Sequence, residues 1–328
     1  MIPAWSNERA GEGKLMDRTQ TAQPIRVGII GAGGIARFHA QALRKLPGVT
    51  LTAVCDRDRN RAVALQQAFG VPQVFDSVVE MSKSATLDAV HVLLPPTAHA
   101  AMVVDSLERG WHVFVEKPFA TSVQECRQVE AAARRAGRHV GVNHNFTFMP
   151  AFLRVIDDIR GRRLGYIESV QACFNVPMPQ LAAGQHWHWM FAEPGNIVLE
   201  IGPHPLSTIV RLMGPVKAAN TVVSGQRILK NGSTFFDGWY SVLTCDRGVA
   251  QCSFSVGGGF TDGWVYVVGQ DGSAMVDLVR NTYFFSTKSR FVKPVEDFVG
   301  SLQRSRAFFA YGCSSVEAQA QCLFAALP

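Results

Sequence analysis

The sequence lacks the features that mark several classes of protein. Its 328 residues contain no 18-residue run apolar enough to span a bilayer, and residues 1–23 lack the apolar segment of a secretion signal. The seven cysteines are odd in number and show neither a CxxC pair nor the spacing of a metal finger. We therefore expect a cytoplasmic protein with no disulfide framework and no membrane partner, and a disordered leader over residues 1–23.

Charged residues are also sparse, at 18% of the chain against 47% hydrophobic residues. This composition is sufficient for a large core and for two domains. The net charge of +6 and the pI near 9.0 could indicate a polyanionic partner. The arginines are dispersed, however, with only short groups around residues 134–138 and 160–163, so we expect no nucleic-acid partner.

The most informative segment that is present runs from Ile25 to Leu46, where an apolar β-type run is followed by a glycine turn and an amphipathic helix. Its glycines fit the pattern G-x-G-x-x-[G/A]. The first glycine allows a tight turn, the second lets the backbone approach a pyrophosphate, and the third small residue permits close helix-to-strand packing. The residues of this turn that we predict to bind a dinucleotide are Gly31, Gly33, Gly34, Ile35 and Ala36.

A second apolar run, Val49 to Cys55, ends at Asp56, 25 residues after Gly31. A carboxylate at this distance is expected to bind the ribose hydroxyls of the cofactor. The alternative is that Asp56 caps the following helix, and both roles could coexist. Because Asp56 would repel a 2′-phosphate, we predict NAD as the cofactor, with NADP as the alternative if Arg57 or its neighbouring arginines hold that phosphate.

Strand-type and helix-type segments alternate as far as Asn143, and this pattern changes near Pro150. Alternation of this kind needs right-handed crossovers and gives a parallel sheet that binds ligands at the carboxyl ends of its strands. Beyond Pro150 come β-branched and aromatic runs, separated by hairpin signals such as Asn231-Gly232 and Asp271-Gly272.

The predicted fold class is therefore an α/β Rossmann domain with a doubly wound parallel sheet over residues 24–145, followed by an α+β domain with a large, mainly antiparallel sheet over residues 146–328. A sheet that is covered on one side only exposes its other face, so we expect a homo-oligomer, either a dimer or a tetramer.

Polar residues follow three strands of the predicted parallel sheet, and we expect them to border the nicotinamide end of the cofactor. Lys117 is the most informative, because a lysine between a strand end and a proline is held rigidly. An exposed loop lysine or a salt bridge to Glu116 is the plainer alternative. The residues of these loops that we predict to contact the cofactor are Leu94, Pro95, Pro96, His99, Glu116, Lys117 and Asn145.

Four segments in this order resemble the Gfo/Idh/MocA family of oxidoreductases, which is named for glucose-fructose oxidoreductase and inositol dehydrogenase. They are GAGGIA at 31–36, Glu116-Lys117-Pro118, NHNFTFMP at 143–150 and PGNIVLEIGPH at 194–204, and the resemblance runs from about Ile25 nearly to the C-terminus. It implies that Lys117 lies beside the nicotinamide and the substrate and that His204 is the general acid/base. An imidazole suits the removal of a hydroxyl proton, and an ammonium group stabilises a developing alkoxide.

The sequence departs from the family pattern around His204. The family commonly has aspartate where Glu200 stands, and often a second aspartate where this chain has Ser207. At i, i+4 on one helix, Glu200 could face His204 and serve the substrate hydroxyls or orient the imidazole. Pro203 and Pro205 are expected to kink that helix, which leaves the position of Glu200 open.

A cluster of rings precedes this motif. Trp187 and Trp189 are expected on one strand face, where they could form an apolar wall for the C–H face of a sugar or for an aromatic ring, and Phe146 could do the same. Packing in the core or in a dimer is the equal alternative. The histidines of this cluster and Glu200 lack the spacing of a known metal motif, so we expect no metal.

The predicted function is an NAD(P)-dependent oxidoreductase acting on a secondary alcohol or ketone of a sugar, cyclitol or related polyol. Two alternatives are open: a nucleotide-binding sensor that has lost turnover, and a dehydrogenase of a cyclic diol derived from an aromatic compound. The residues predicted to act in catalysis are Lys117, His204 and Glu200. The residues predicted to contact the substrate are Lys117, Asn145, Phe146, Trp187, Trp189, Glu200 and His204.

Overall fold

A computed structural model describes residues 23–184, 188–287, 301, 302 and 305. The predicted leader, apart from residue 23, lies outside these residues. The chain divides into two compact units between Asn143 and His144, and each is described by itself. The limits 24–145 and 146–328 stay predictions.

The first unit alternates strands and helices. Its strands are β1 (Ile25–Ile30), β2 (Val49–Cys55), β3 (Gln73–Phe75), β4 (Ala89–Val92), β5 (His112–Val115) and β6 (Val140–Val142). Its helices are α1 (Ala36–Lys45), α2 (Arg59–Phe69), α3 (Val78–Ser84), α4 (His99–Glu108) and α5 (Val123–Ala136). The strands form one six-stranded sheet in the order β3-β2-β1-β4-β5-β6, and every pair is parallel. The predicted doubly wound sheet is confirmed.

Consecutive residues of β1 pack against different helices, which explains why its sequence is apolar on both faces. Ile29 lies in a buried cluster with residues of α1 and α2, and Ile30 lies in a second cluster with residues of α4 and α5. Both side chains are at most 2% exposed. A parallel strand covered on both faces is nearly continuously apolar, as the IRVGII run is apart from Arg26, whose guanidinium pairs with Asp88 (2.9 Å).

The sequence predicts a capping box at Thr121 or Ser122 with Glu125, and the N-terminus of α5 has it. The hydroxyl of Ser122, the N-cap of α5, accepts a hydrogen bond from the Glu125 N–H (3.2 Å), and Glu125 Oε2 accepts the Thr121 N–H (2.7 Å). The sequence predicts a helix over residues 97–109, ended by Gly110; in the structure Pro96–Ala98 form a 3₁₀ turn, and α4 runs from His99 to Glu108.

The second unit is α+β. Its helices are α6 (Pro150–Arg160), α7 (Pro179–Ala182), α8 (Asn196–Ile201) and α9 (Pro203–Met213). Its strands are β7 (Ile167–Asn175), β8 (Val216–Ile228), β9 (Thr234–Cys245), β10 (Gly248–Ser255), β11 (Asp262–Gly269), β12 (Gly272–Asp277) and β13 (Thr282–Thr287). They form a seven-stranded sheet in the order β13-β12-β11-β7-β10-β9-β8, in which only β7 and β10 pair in parallel. The mainly antiparallel sheet is confirmed.

Helices α6 and α9 cover one face of this sheet. Phe152 of α6 and Met213 of α9, neither exposed to solvent, share a core with Val170, Val265 and Val276 of the strands. The sequence predicts strands over residues 217–223 and 238–245, and β8 and β9 extend further, since residues 224–228 pair with residues 234–238 although they do not alternate in hydropathy. Within the described ranges, no helix is both long and apolar enough to cross a bilayer.

The turn after β1 requires glycine at one position, whereas at another it has space for a side chain. Gly31 has a φ of 100°, and a Cβ atom there would lie 2.6 Å from the Leu93 carbonyl oxygen. A Cβ atom on Gly33 would meet no atom within 4 Å. The first glycine is thus required by the backbone itself, because side chains disfavour this conformation.

We therefore expect Gly31→Ala to lower the free energy of unfolding by about 1–3 kcal/mol, through backbone strain and the clash with Leu93. Gly33→Ala is the matched control and should leave the thermal midpoint unchanged. Thermal unfolding of both variants, followed by circular dichroism, tests this. Equal midpoints for the two variants would show that the turn relaxes without cost.

Candidate functional site

The glycine turn and the start of α1 form one surface of the first unit. Gly33 is half-buried, and Gly34 and Ile35 are exposed. Ala36 is fully buried against the sheet, as the predicted packing role requires. No side chain caps α1, and its first turn carries no acidic residue.

A helix start of this kind presents unpaired N–H groups and a positive dipole end. Because the first turn of α1 has no acidic side chain, an anion such as a pyrophosphate can bind at its N–H groups. The open space beside Gly33 and Gly34 leaves room for that anion to approach the backbone. The residues present therefore fit a dinucleotide.

Asp56 follows β2 and lies beside the same turn. Its Oδ2 accepts the Ala32 N–H (2.7 Å), and its Oδ1 accepts the Asp58 N–H (2.8 Å). The alternative that Asp56 caps α2 is wrong, because the cap is Asp58, whose carboxylate accepts the Asn60 N–H (3.0 Å). Each oxygen of Asp56 keeps a further lone pair for a ribose hydroxyl. That role, and any role of the exposed Arg57, stay predictions.

The loop after β4 is anchored from inside the unit. Pro95 is exposed, Leu94 is half-buried and Pro96 is buried. His99 is 0% exposed, and its Nδ1 and Nε2 each lie 2.7 Å from a carbonyl oxygen, of Pro118 and Leu94 respectively. The His99 ring thus holds the two loops together from inside the unit, and its contact with a cofactor stays a prediction.

Glu116 and Lys117 follow β5 directly. The Glu116 carboxylate is buried, and it accepts hydrogen bonds from Asn143 Nδ2 (2.6 Å) and from the Lys117 N–H (3.1 Å). His39 Nε2 of α1 lies 2.8 Å from the same carboxylate. Lys117 itself is half-buried, and its peptide bond to Pro118 is cis. Lys117 is thus held from the interior through its own backbone.

The second unit carries the other predicted site residues. Asn145 and Phe146 lie in a 3₁₀ turn, Asn145–Phe148, in which Thr147 donates to the His144 carbonyl oxygen from both its N–H (3.0 Å) and its hydroxyl (2.8 Å). Asn145 is exposed, and Phe146 is half-buried.

His204 is the second residue of α9, and its imidazole packs against two phenylalanine rings. The ring centroids of Phe146 and Phe174 lie 4.9 and 5.3 Å from that of His204, and 5.1 Å from each other. Sequence reasoning missed Phe174, which ends the buried face of β7. The feature of the sequence that could have indicated Phe174 is Gly263, which pairs with it on β11. A Cβ atom on Gly263 would lie 2.6 Å from Phe174 Cδ2. The glycine makes room for the ring.

Glu200 lies on α8 and His204 on α9, and the boundary between the helices is Gly202. The backbone at Gly202 stays right-handed helical (φ −54°, ψ −34°), and the two prolines beside His204 occupy the first and third positions of α9. Proline is tolerated there because those N–H groups have no partner within the helix. The Ser207 hydroxyl donates to the His204 carbonyl oxygen (3.0 Å).

The expected aromatic strand is a turn. Trp189 begins a 3₁₀ turn, Trp189–Phe191, in which His188 Nδ1 accepts the Met190 N–H (3.4 Å), and Asn196 Nδ2 donates to the Trp189 carbonyl oxygen (2.8 Å). The turn buries Met190 and Phe191, which overrides the i, i+2 pattern of the tryptophans. Trp187 lies outside the described residues.

Comparison with known families agrees with this architecture. Residues 25–144 match the model of an oxidoreductase family with an NAD-binding Rossmann fold. Residues 152–275 match the model of the Gfo/Idh/MocA C-terminal domain.

Individual relatives are distant. The chain is 26% identical to D-apiose dehydrogenase of Paraburkholderia graminis over 71% of its own length and 63% of that protein, so it spans less than two thirds of that relative. It is 28% identical to D-glucoside 3-dehydrogenase of Escherichia coli, over 62% of the chain and 59% of that protein. Among solved structures, GenD2 from gentamicin A biosynthesis in complex with NAD is 25% identical with a TM-score of 0.68, over 79% of this chain and 73% of that one.

Two domain models of one family match in sequence order, and they fall on the parallel sheet and on the mainly antiparallel sheet respectively. The chain therefore belongs to the Gfo/Idh/MocA family of oxidoreductases, and its first unit is an NAD-binding Rossmann domain.

Proposed function

We propose that this protein oxidises a secondary alcohol, or reduces the corresponding ketone, of a sugar, cyclitol or related polyol. The observation that carries the proposal is that the chain retains both groups that the chemistry needs on ordered elements: the Lys117 ammonium after β5 and the His204 imidazole on α9. The names of its relatives, which include D-apiose dehydrogenase and D-glucoside 3-dehydrogenase, support a polyol as the substrate.

The glycine turn and the start of α1 would hold the pyrophosphate of NAD, and Asp56 would bind the adenosine ribose. When bound, NAD supplies the acceptor or donor of a hydride. We favour NAD over NADP because the Asp56 carboxylate would repel a 2′-phosphate. Leu94 and Pro95, at the carboxyl end of β4, would border the nicotinamide together with Asn145.

The two catalytic groups have complementary tasks. As the alcohol is oxidised, its hydroxyl proton must leave, and His204 would take it on a ring nitrogen. The Lys117 ammonium would stabilise the negative charge that develops on the same oxygen. In the reverse direction, Lys117 would polarise the carbonyl and His204 would return the proton. Glu200 would bind substrate hydroxyls.

The apolar surroundings of His204 suit this role. The rings of Phe146 and Phe174 limit the orientations that the imidazole can adopt, and a fixed orientation is what proton transfer at hydrogen-bond distance requires. Phe146 would also meet the C–H face of a sugar, as would Trp187 and Trp189.

The names of the relatives favour an enzyme over the nucleotide sensor, since several are dehydrogenases or reductases that act on sugars. They also favour a polyol over a diol derived from an aromatic compound. The departure at Ser207 fits an enzyme too, because its hydroxyl bonds to the helix backbone and leaves the imidazole of His204 in place.

We also propose a homo-oligomer that forms through the sheet face opposite α6 and α9. On β8 and β9 this face exposes Val222 (71%), Tyr240 (50%) and Val242 (49%), while Leu243 on the covered face is 3% exposed. Apolar side chains on a continuous sheet face indicate a second copy of the chain as the partner. A cytoplasmic location is supported by the free thiols of all five cysteines in the described ranges.

Replacing either catalytic group tests the proposed chemistry. We expect Lys117→Ala and His204→Ala each to lower kcat by about 10²- to 10⁴-fold and to leave the Kd for NAD nearly unchanged. The double variant should lose much less than the product of the two factors, because both groups serve one step. NADH absorbance with a panel of polyols measures kcat, and titration calorimetry measures Kd.

Lys83→Ala and His139→Ala, at exposed positions, are the matched controls and should keep full activity. If the wild-type protein binds NAD tightly but turns over none of the polyols, the nucleotide-binding sensor becomes the better interpretation. Full activity of both catalytic variants would remove Lys117 and His204 from the mechanism.

The phenylalanine beside His204 generates a second prediction. Phe174→Leu should lower kcat by about 10- to 100-fold, since the imidazole gains freedom to rotate. Gly263→Ala should act in the same direction, because its Cβ atom displaces the Phe174 ring. The pH profile of kcat/KM is the added readout, and Phe174→Tyr should restore activity.

Phe235→Leu removes the same volume from the same buried cluster and is the control. It should lower the thermal midpoint with little effect on kcat. Equal losses of kcat in the Phe174→Leu and Phe235→Leu variants would show that Phe174 contributes only to core packing.

The oligomer is tested with a charge on the exposed sheet face. Val242→Lys should weaken self-association about 100-fold or more, because a two-fold interface would bury two unpaired ammonium groups. Val210→Lys, at a similarly exposed valine of α9 (44%), is the control. Sedimentation velocity should show the 35.8 kDa monomer for the first variant alone. A monomeric wild-type protein would contradict the proposal.

A further inference from the structure

A chain of buried hydrogen bonds connects α1 to the strand ends of the first unit. His39 of α1 is 7% exposed, and its Nε2 lies 2.8 Å from Glu116 Oε1. On the other side of its ring, His39 Nδ1 lies 2.9 Å from Nδ1 of His91 on β4. Asn143 Nδ2, after β6, donates to the same Glu116 oxygen (2.6 Å).

The chemistry of Glu116 determines the proton on one side of His39. Burial raises the pKa of the Glu116 carboxyl, but the hydrogen bonds from His39, Asn143 and the Lys117 N–H, together with the electrostatic attraction of His39, hold this pKa below its ordinary value. An ionised carboxylate only accepts hydrogen bonds. His39 must therefore carry a proton on Nε2 and donate it to Glu116.

The contact between the two imidazoles is less restrictive. Burial lowers the pKa of His91 to about 4, and the neighbouring His39 adds to this effect, so His91 is neutral near pH 7. With its Nε2 protonated, His39 can accept a hydrogen bond at Nδ1 from His91 Nδ1–H, and it can donate there only with a second proton on its ring. The bond from His39 to Glu116 is thus the directional part of the chain.

The second oxygen of Glu116 acts on Lys117. It accepts the backbone N–H of Lys117 (3.1 Å), while His99 lies 2.7 Å from the carbonyl oxygen of Pro118 on the other side. Two buried groups therefore hold the backbone on both sides of Lys117. The Glu116 carboxylate must have one orientation to accept the Lys117 N–H. The hydrogen bonds that His39 and Asn143 make to its other oxygen fix that orientation.

We propose that His39 is a positioning residue for Lys117: its Nε2–H orients the Glu116 carboxylate, which holds the Lys117 backbone in place. Through this connection α1, whose start would bind the pyrophosphate, sets the position of the ammonium group that would act on the substrate. The inference rests on the proposed function of Lys117, and it extends the site to a residue buried one turn inside α1.

Two substitutions of His39 separate this role from simple packing. Glutamine places its amide nitrogen close to the position of histidine Nε2, and asparagine places its own close to Nδ1. His39→Gln therefore keeps a donor for Glu116 and loses the contact with His91, while His39→Asn does the reverse. Each variant loses one hydrogen bond in the same buried place, so a loss of stability does not distinguish them.

We expect His39→Gln to keep kcat within about threefold of the wild type, and His39→Asn to lower kcat by about 10- to 100-fold with an unchanged Kd for NAD. His91→Asn, which leaves Glu116 untouched, should behave like the wild type in kcat. Equal losses of kcat in both His39 variants, or a loss confined to His39→Gln, would overturn the proposal.

Nuclear magnetic resonance of the full-length protein gives a readout that does not depend on turnover. The chain has eight lysines, so ¹⁵N-lysine labelling yields few amide signals, and the Lys117 signal is identified by its loss in Lys117→Arg. We expect this signal to move upfield in His39→Asn, where the hydrogen bond to Glu116 weakens, and to stay in place in His39→Gln. A Lys117 signal that is unchanged in His39→Asn would overturn the proposal.

The wild-type protein provides a further check should His39→Asn fail to fold. With ¹⁵N-histidine labelling, the nitrogen Nε2 of His39 must be protonated at neutral pH, and an unprotonated Nε2 would overturn the inference. These measurements separate two failures: absence of turnover on any polyol would refute the proposed function, while the lysine and histidine spectra would still decide whether His39 positions Lys117.

Discussion

The constraint on which the first unit depends is that its strands are parallel, so that their carboxyl ends meet at one edge of the sheet. At that edge the chain must satisfy the polar groups of several loops without water. Glu116 does this for three of them, because its carboxylate joins α1, the end of β5 and the end of β6. A buried charge is tolerated in such a place only when it is fully hydrogen-bonded, and this requirement makes the edge rigid.

The second unit obtains rigidity by a different route. His204 packs against a pair of phenylalanine rings that also contact each other, one from a 3₁₀ turn and one from β7, and Gly263 on the neighbouring strand leaves the space that Phe174 occupies. Here apolar packing orients the imidazole, whereas hydrogen bonds hold Lys117. Apolar packing tolerates small changes in side-chain size, whereas the hydrogen bonds depend on the position of single protons.

Much of the architecture follows from local sequence. The structure has the elements that these local patterns predict: a buried strand at IRVGII, a tight turn at Gly31 and a helix that begins after Ser122. The predictions that differ depend on competition between neighbouring signals. Asp58 takes the cap that Asp56 could have formed, and the tryptophan cluster turns at Trp189 because burial of Phe191 outweighs alternation.

The sequence by itself determined the alternation of strands and helices and the glycine turn before α1, and it predicts Lys117 and His204 as the catalytic pair, because these features are encoded in residues close along the chain. Only the tertiary structure decided what lies behind them. His39 and Glu116 are 77 residues apart, Phe174 and Gly263 are on different strands, and His99 is turned inward. Contacts of this kind arise from how the sheets bring distant residues together, and no local pattern specifies them.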